Sequence, residues 1–459
     1  MTMKLNQIKN SYKKFINLGQ EKYLSLFSFS KDIFEKSSGM FIYTRKNKKY
    51  LDLTGGMGVL NHGHNHPEIL RARINFQKKK YLEVHKNILS PHLAKLSEKV
   101  SKILPKELSV SFFPNSGAEA NEGAIKAAFK YHEGKRNIIL HSSRSFHGKL
   151  IATGAISSPL RNVNYPKFLK NREFVFNDKN SLKKVIKKIK SKNIFAIIIE
   201  PFSASTFSAC SFEFLKELRK ICNQKKIILI YDEVYTGWGK TGYLFYFMKH
   251  KNICPDILTA SKSLGGGKAS IGMYIMKKEI FKKSYGKIND ALLHSTTFNG
   301  FGEEAVTATK AIEILIREKL SRKAFIAGNE IKKNFLVLKK KFPNLNMILE
   351  GTGCIQRILI KNNKIDEKIL KKFLSKKDIK NISFLKPSLL EVSILDYLYR
   401  KFSIFAFHSP GKLVISPSLI IKKSEIKYLF KALSKTLTMG KEKLIKNYIL
   451  ENIKSIKQL

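Results

Sequence analysis

Between residues 95 and 276, short apolar runs alternate with segments whose apolar positions recur at helical spacing, and this alternation constrains the chain more than any other feature. SVSFF (109–113), NIILH (137–141), EFVF (173–176), FAIIIE (195–200), IILIYDE (227–233), DILTA (256–260) and SIGMYIM (270–276) read as strands. The stretch from Ala118 to Tyr131, LKKVIKKIK (182–190) and FEFLKELRKIC (212–222) read as helices between them. Strands that are apolar throughout lose water from both faces, so the pattern predicts an α/β fold, a mostly parallel mixed sheet covered by helices. Ligands in such folds bind beyond the carboxyl ends of the strands.

The flanks read differently. MFIYTRKNKKYLDL (40–53) suggests short strands joined by a turn at Asn47 and Lys48. A long helical region runs from Glu303 to about Lys341, and a mixed pattern follows. The expected organisation is an N-terminal segment of a smaller domain over 1–65, a large domain over 66–340, and the C-terminal part of the smaller α+β domain over 341–459.

Charge raises one function class and distribution removes it. Lys and Arg number 86 against 35 acidic residues, a formal charge of +51, which favours nucleic acid as a partner. The lysines are spread through nearly every helix instead of forming a stripe, and no zinc-finger, RRM or helix-turn-helix signature accompanies them. The surface is therefore read as lysine-rich and solvated, suited to small anions, with no nucleic-acid partner. The four cysteines (Cys210, Cys222, Cys254 and Cys354) form no CxxC pair, which speaks against a zinc site or disulfide framework and for a reducing cytoplasm. The longest apolar runs (194–200 and 227–231) fall far short of the roughly 20 residues that span a bilayer, so no membrane segment is expected. The N-terminus lacks an apolar core and cleavage site of the secretory kind.

Three pieces carry chemistry. PNSGAEANE (114–122) lies between a strand and a helix, where free amides at Ser116, Gly117 and Ala118 and the helix dipole suit an anion. IYDEVYTGWGKTG (230–242) sets two carboxylates, Asp232 and Glu233, at the end of an apolar strand. DILTASKSLGGGKASIG (256–272) places Lys262 just after a strand and before three glycines.

In this order and spacing the pieces match one family. The chain resembles the class III pyridoxal-phosphate-dependent aminotransferases of fold type I. Their pattern is SGxEAxE, then a strand ending DEVxTGxGRTG, then SKxxGGG. GVLNHGHNHPEI (58–69), SFHGK (145–149), IIEP (198–201) and HSTTFNG (294–300) extend the match over nearly the whole chain.

The resemblance implies a role for each matching residue. Lys262 is the lysine that forms the Schiff base with pyridoxal phosphate and then moves the proton. Asp232 pairs with the pyridinium nitrogen, so that the ring serves as an electron sink. Phe146 stacks on the ring. Gly117 and Ala118 cradle the phosphate, with Ser116 beside them. Thr297 reaches the phosphate of a neighbouring subunit, which implies a homodimer with shared active sites. Glu200 lies near the cofactor. His62, His64 and His66 have a metal-like spacing, but the family carries this GHxHP turn without metal, and none is expected.

Several departures blur the substrate. Tyr235 replaces the Gln of DEVQTG, and its hydroxyl is expected to bond the cofactor's phenolic oxygen. Lys240 replaces the Arg of GRTG, read as a surface-type change. Asn299, Gly300, Phe301 and Gly302 replace GGNP. Val414 stands where RLxPPL has the arginine that clamps an α-carboxylate, and Ser205 replaces the glutamate that gates it. Losing both leaves no buried charge without its partner. The implied activity is transfer of an amino group from an ω- or other non-α amine to a keto or aldehyde acceptor. Arg357, Lys412 and His408 stand as substitutes for the missing clamp. An aminomutase, epimerase or decarboxylase of the same family, and a non-catalytic relative, remain as alternatives.

Overall fold

Apolar runs of this kind pair with one another because each must bury both faces. The computed structural model describes residues 3–83, 87–160, 163, 165, 169–361, 367–409 and 412–458. Its central sheet is built from β1 (Leu108–Phe112), β2 (Ile138–Ser142), β3 (Lys170–Phe174), β4 (Ile194–Ile199), β5 (Ile228–Asp232), β6 (Ile257–Ala260) and β7 (Met273–Lys277). The spatial order is β1-β7-β6-β5-β4-β2-β3. All strands are parallel except β7, which runs antiparallel to both of its neighbours. Every residue of β4 and β5 is buried, as the continuous apolar runs require. The helix Gly117–Tyr131 lays Ala124, Ile125, Ala127 and Ala128 onto this sheet, against Ile139, Ile198, Ile230, Ile257 and Tyr274.

Two elements differ from the pattern. The strand read at 173–176 is Lys170–Phe174, because the chain leaves the sheet after Phe174 and turns towards Asp178, whose side chain caps the helix Lys179–Ile189. The long helical region is two helices, Gly302–Arg317 and Leu320–Lys341, broken at Lys319, which is left-handed (φ +52°).

Backbone contacts divide the chain into two units, Gly58–Phe325 and Met1–Met57 with Ile326–Leu459, whereas the sequence pattern places the limits at 65 and 340. Residues 58–65 go with the sheet because Asn61 Nδ2 donates to the Trp238 carbonyl (2.7 Å) and His62 Nε2 lies 2.8 Å from the Ala311 carbonyl. The second unit holds two four-stranded sheets. One consists of Phe34–Ser38, Phe41–Thr44, Lys49–Asp52 and Ile404–Phe405, and the other of Met347–Thr352, Ile355–Ile360, Lys412–Ile415 and Phe407–Ser409. Its helical core joins Leu26 and Phe27 to Leu389, Val392, Ile445, Tyr448 and Ile449. Among the described residues, no helix is long and apolar enough to cross a membrane.

Candidate active site

Five loops leave the carboxyl ends of parallel strands of the large unit and meet at one cavity of about 440 Å³. Ser116, Gly117 and Ala118 follow β1, Phe146 follows β2, Glu200 follows β4, Asp232 ends β5 and Lys262 follows β6. Tyr235 lines the same cavity, so eight of the nine residues singled out by sequence come together. Thr297, which the resemblance assigns to the phosphate of a neighbouring subunit, lies outside this cavity, exposed in the turn after His294, next to Thr296, whose hydroxyl donates to Asn115 Oδ1 (3.5 Å).

Asp232 is held by three partners. Its Oδ2 accepts from Asn121 Nδ2 (2.7 Å) and lies 2.8 Å from His147 Nδ1, while its Oδ1 accepts from the Val234 amide (2.9 Å). Asn121 is itself fixed, because its Nδ2 also donates to the His147 carbonyl (2.8 Å) and its Oδ1 accepts from the Thr259 hydroxyl (2.6 Å). Three N–H donors on one buried carboxylate hold an anion in place and aim it. Sequence reasoning assigned no role to Asn121 or His147, although both stand inside quoted motifs. Asn121 lies four residues after Gly117 on one helix, hence on one face, and this spacing was the available signal.

Lys262 takes a left-handed backbone (φ +47°), and its Nζ sits 5.0 Å from the centre of the Tyr235 ring. Burial lowers its ammonium below the ordinary lysine range, with Asp232 and then Glu200 opposing the shift. Gly58 makes room for this pair. A Cβ there would stand 2.8 Å from the Tyr235 ring and 3.3 Å from Lys262 Cδ, at a φ of +93° that only glycine adopts readily.

The helix Gly117–Tyr131 opens towards the cavity. Ser116 caps it by accepting from the Glu119 amide (3.2 Å) and donates to Glu119 Oε2 (3.0 Å), so its hydroxyl serves the helix. Gly117 is required because a Cβ would stand 2.6 Å from Val234 Cγ1. Glu200 accepts from the Phe146 and Ala204 amides, at 2.9 and 3.0 Å. Burial first, and then the charge of Asp232, push its carboxyl up, while the Ala204 and Phe146 amides and Lys262 favour its ionised form. Glu233 points away from these groups, accepting from the Thr236 hydroxyl and the Tyr246 and Phe247 amides, and burial raises its carboxyl to about 7.

Lys240 is not a surface residue. It is fully buried, with Nζ 3.5 Å from Asn61 Oδ1. The three histidines do not converge. His62 is buried against Ala311, and burial lowers its imidazole to about 4. His66 instead comes within 3.7 Å of Glu318, where Arg317 takes both the Glu68 and Glu318 carboxylates. All four cysteines are free thiols. In the second unit, Val414 is buried and pairs across strands with Arg357, whose Nε donates to Glu350 (2.6 Å). Lys412 begins the strand that carries Val414, and the side chain of His408 lies outside the described residues.

The cavity fits pyridoxal phosphate on three grounds. A helix start too tight for a Cβ at 117 offers amides to a phosphate. A ligated carboxylate, Asp232, offers itself to a ring N–H. A lysine with depressed basicity, Lys262, stands in the same space.

Comparisons with known proteins agree with this geometry. The family model for class III aminotransferases matches residues 29–437. An acetylornithine aminotransferase of Prochlorococcus marinus subsp. pastoris is 34% identical over 348 residues, 73% of this chain and 81% of the relative. An acetylornithine aminotransferase of Methanocaldococcus jannaschii is 32% identical over 404 residues, 84% of this chain and 96% of the relative. Among solved structures, adenosylmethionine-8-amino-7-oxononanoate aminotransferase from Methanocaldococcus jannaschii superposes with a TM-score of 0.81 at 22% identity, covering 95% of this chain and 99% of that one.

Proposed function

The chain belongs to the class III aminotransferase family, an enzyme family dependent on pyridoxal phosphate, and from that premise we propose that it transfers the amino group of a terminal, non-α amine to a keto or aldehyde acceptor. The observation that carries the reading is the meeting of Lys262, Asp232, Phe146 and the Gly117–Ala118 helix start in one cavity. When bound, the cofactor supplies an aldehyde for the amine and a ring that accepts the electrons of a breaking C–H bond. In this reading the protein does the rest. Gly117 and Ala118 hold the phosphate, Asp232 keeps the ring nitrogen protonated, Phe146 covers one face and Tyr235 meets the phenolic oxygen. Lys262 Nζ, made less basic by burial, is the amine that first holds the cofactor and then moves the substrate proton.

The donor class follows from what lines the cavity. No arginine is among its described lining residues, Val414 occupies the place of the family's α-carboxylate clamp, and Ser205 the place of its gate. Besides Lys262, the lining lysine is Lys149, exposed in the loop after β2, which supplies one cation for a carboxylate at the far end of a donor. The curated relatives are named for acetylornithine, whose free amine is terminal, and this supports the same class. The absent clamp also favours a second reading, an aminomutase or decarboxylase, which needs no carbonyl acceptor.

A homodimer is part of the proposal. Leu89 (97% exposed) and Ile288 (90% exposed), together with Leu82, Leu292 and Phe298, leave apolar surface on the loops around Thr297. These loops are tied together by the Gly302 amide donating to the Glu83 carbonyl (3.1 Å). Exposed apolar surface of this kind marks an association face. The test is a donor panel of acetylornithine, diamines, alanine and glutamate with and without a carbonyl acceptor. Acceptor-dependent turnover with terminal amines supports the reading, and faster turnover of glutamate overturns the donor class.

A further inference from the structure

The segment carrying Phe146 leaves the sheet after β2 and has no strand ladder to hold it. Three successive amides of this segment are instead taken by side chains. The Ser145 amide donates to Ser158 Oγ (2.9 Å), the Phe146 amide to Glu200 Oε2 (2.9 Å) and the His147 amide to Ser157 Oγ (2.8 Å). Ser157 and Ser158 belong to one neighbouring turn, while Glu200 belongs to the end of β4. Phe146 is therefore the residue at which the segment is pulled across the cavity.

The other oxygen of Glu200 faces a second wall. Its Oε1 accepts from the Ala204 amide (3.0 Å), in the turn that precedes Ser205. The same two loops are joined once more by Ser203 Oγ, which donates to the Arg144 carbonyl (3.0 Å). Glu200 is 4% exposed and is followed by Pro201, which restricts its backbone to extended conformations. Its side chain thus leaves a stiff base and spans from one wall to the other.

We propose that Glu200 is a positioning residue whose carboxylate straps the Phe146 segment to the Ala204 turn and so fixes the width of the cavity between them. The inference rests on the reading of this cavity as the cofactor and amine site. It assigns Glu200 to the walls, since each of its oxygens already accepts a backbone amide. Both partners are N–H donors, which a carboxylate satisfies and a carboxamide does not. In Glu200→Gln one oxygen can keep one amide, but the NH₂ group then faces the other amide donor to donor, and one strap opens. Glu200→Asp shortens the side chain by one methylene and cannot span both.

Hydrogen exchange on the intact protein, with pyridoxal phosphate added, tests the strap directly. Peptides covering 143–149 and 202–206 are followed by mass spectrometry in the wild type and in Glu200→Gln. The strap predicts protection of both peptides in the wild type and exchange faster by about tenfold in at least one of them in the variant. The loop held by Glu233 (236–247) serves as the internal reference and stays unchanged. Kinetics supply a readout that a general loss of stability does not imitate. Glu200→Gln lowers kcat/KM for the amine by about tenfold in the wild-type background and adds nothing in a Phe146→Ala background, because it acts through Phe146. Unaltered exchange in the variant, or an equal loss in both backgrounds, overturns the proposal. Should Glu200→Gln fail to fold, rapid exchange of both peptides in the folded wild type overturns it and protection upholds it. A missing Lys262-dependent cofactor band defeats the cofactor reading alone, since the exchange experiment needs no cofactor chemistry.

Discussion

Replacing Asn121 by aspartate keeps the shape of the side chain and changes only what faces Asp232. In the wild type, Asn121 Nδ2 donates to Asp232 Oδ2 at 2.7 Å. In Asn121→Asp a carboxylate oxygen stands there instead, and two like charges at that distance repel by about 6 kcal/mol at an effective dielectric of about 20. Repulsion of this size strongly raises the affinity of the pair for one shared proton. The sign decides the phenotype. While the pair keeps one proton, the new carboxyl donates an O–H to Asp232, and the site stays close to its wild-type arrangement apart from the His147 carbonyl, which loses its donor at a cost of about 1 kcal/mol. Once rising pH removes that proton both groups are ionised, repel, and Asp232 leaves its position. Cofactor affinity and kcat/KM, measured from pH 6 to 9, should therefore fall on the alkaline side in Asn121→Asp. Asn121→Ala should show a loss that does not depend on pH. A flat profile for Asn121→Asp that tracks the wild type would show that Asn121 does not hold the Asp232 carboxylate.

Gly58→Ala places a methyl 2.8 Å from the Tyr235 ring at φ +93°, and should weaken cofactor binding by about tenfold or more through strain and displacement, read as the dissociation constant of pyridoxal phosphate. Glu233 has a folded-state carboxyl raised from 4.5 to about 7, so its neutral form stabilises the fold. That contribution is complete below about pH 4.5 and is lost as pH rises to about 7, and a thermal melt series should show Glu233→Gln removing this slope. Val414→Arg sets a second buried guanidinium opposite Arg357 and should cost about 3 kcal/mol of stability in denaturant titration. Ile288→Asp should lower the apparent mass in sedimentation by disrupting the apolar face that carries the proposed dimer.

The fold was legible because its main determinant is local. FAIIIE and IILIYDE are short and rich in β-branched residues, which favours buried strands over helices, and β4 and β5 are buried at every position. The break at Lys319 was not legible, since a single left-handed residue leaves the helical period on both sides unchanged. Lys262 and Asp232 were legible through motif order, but their partners were not. The spacing from Gly117 puts Asn121 on the cavity face of its helix, but the contacts of Asn121 and His147 with Asp232, 111 and 85 positions away, depend on the sheet order. Lys240 misled because lysine is ordinarily exposed, and nothing in GWGKTG announces that its side chain is buried beside Asn61, 179 positions away. The role of Glu200 as a strap between two walls was equally hidden, because both of its partners are backbone amides and any residue type could have supplied them.

The visible spectrum of the purified protein, titrated separately with acetylornithine, a diamine, alanine and glutamate beside a Lys262→Ala control, tests the central claim most directly. The account predicts a cofactor band that requires Lys262 and that terminal amines convert faster than glutamate does. A band indifferent to Lys262, or one that glutamate converts fastest, would contradict it.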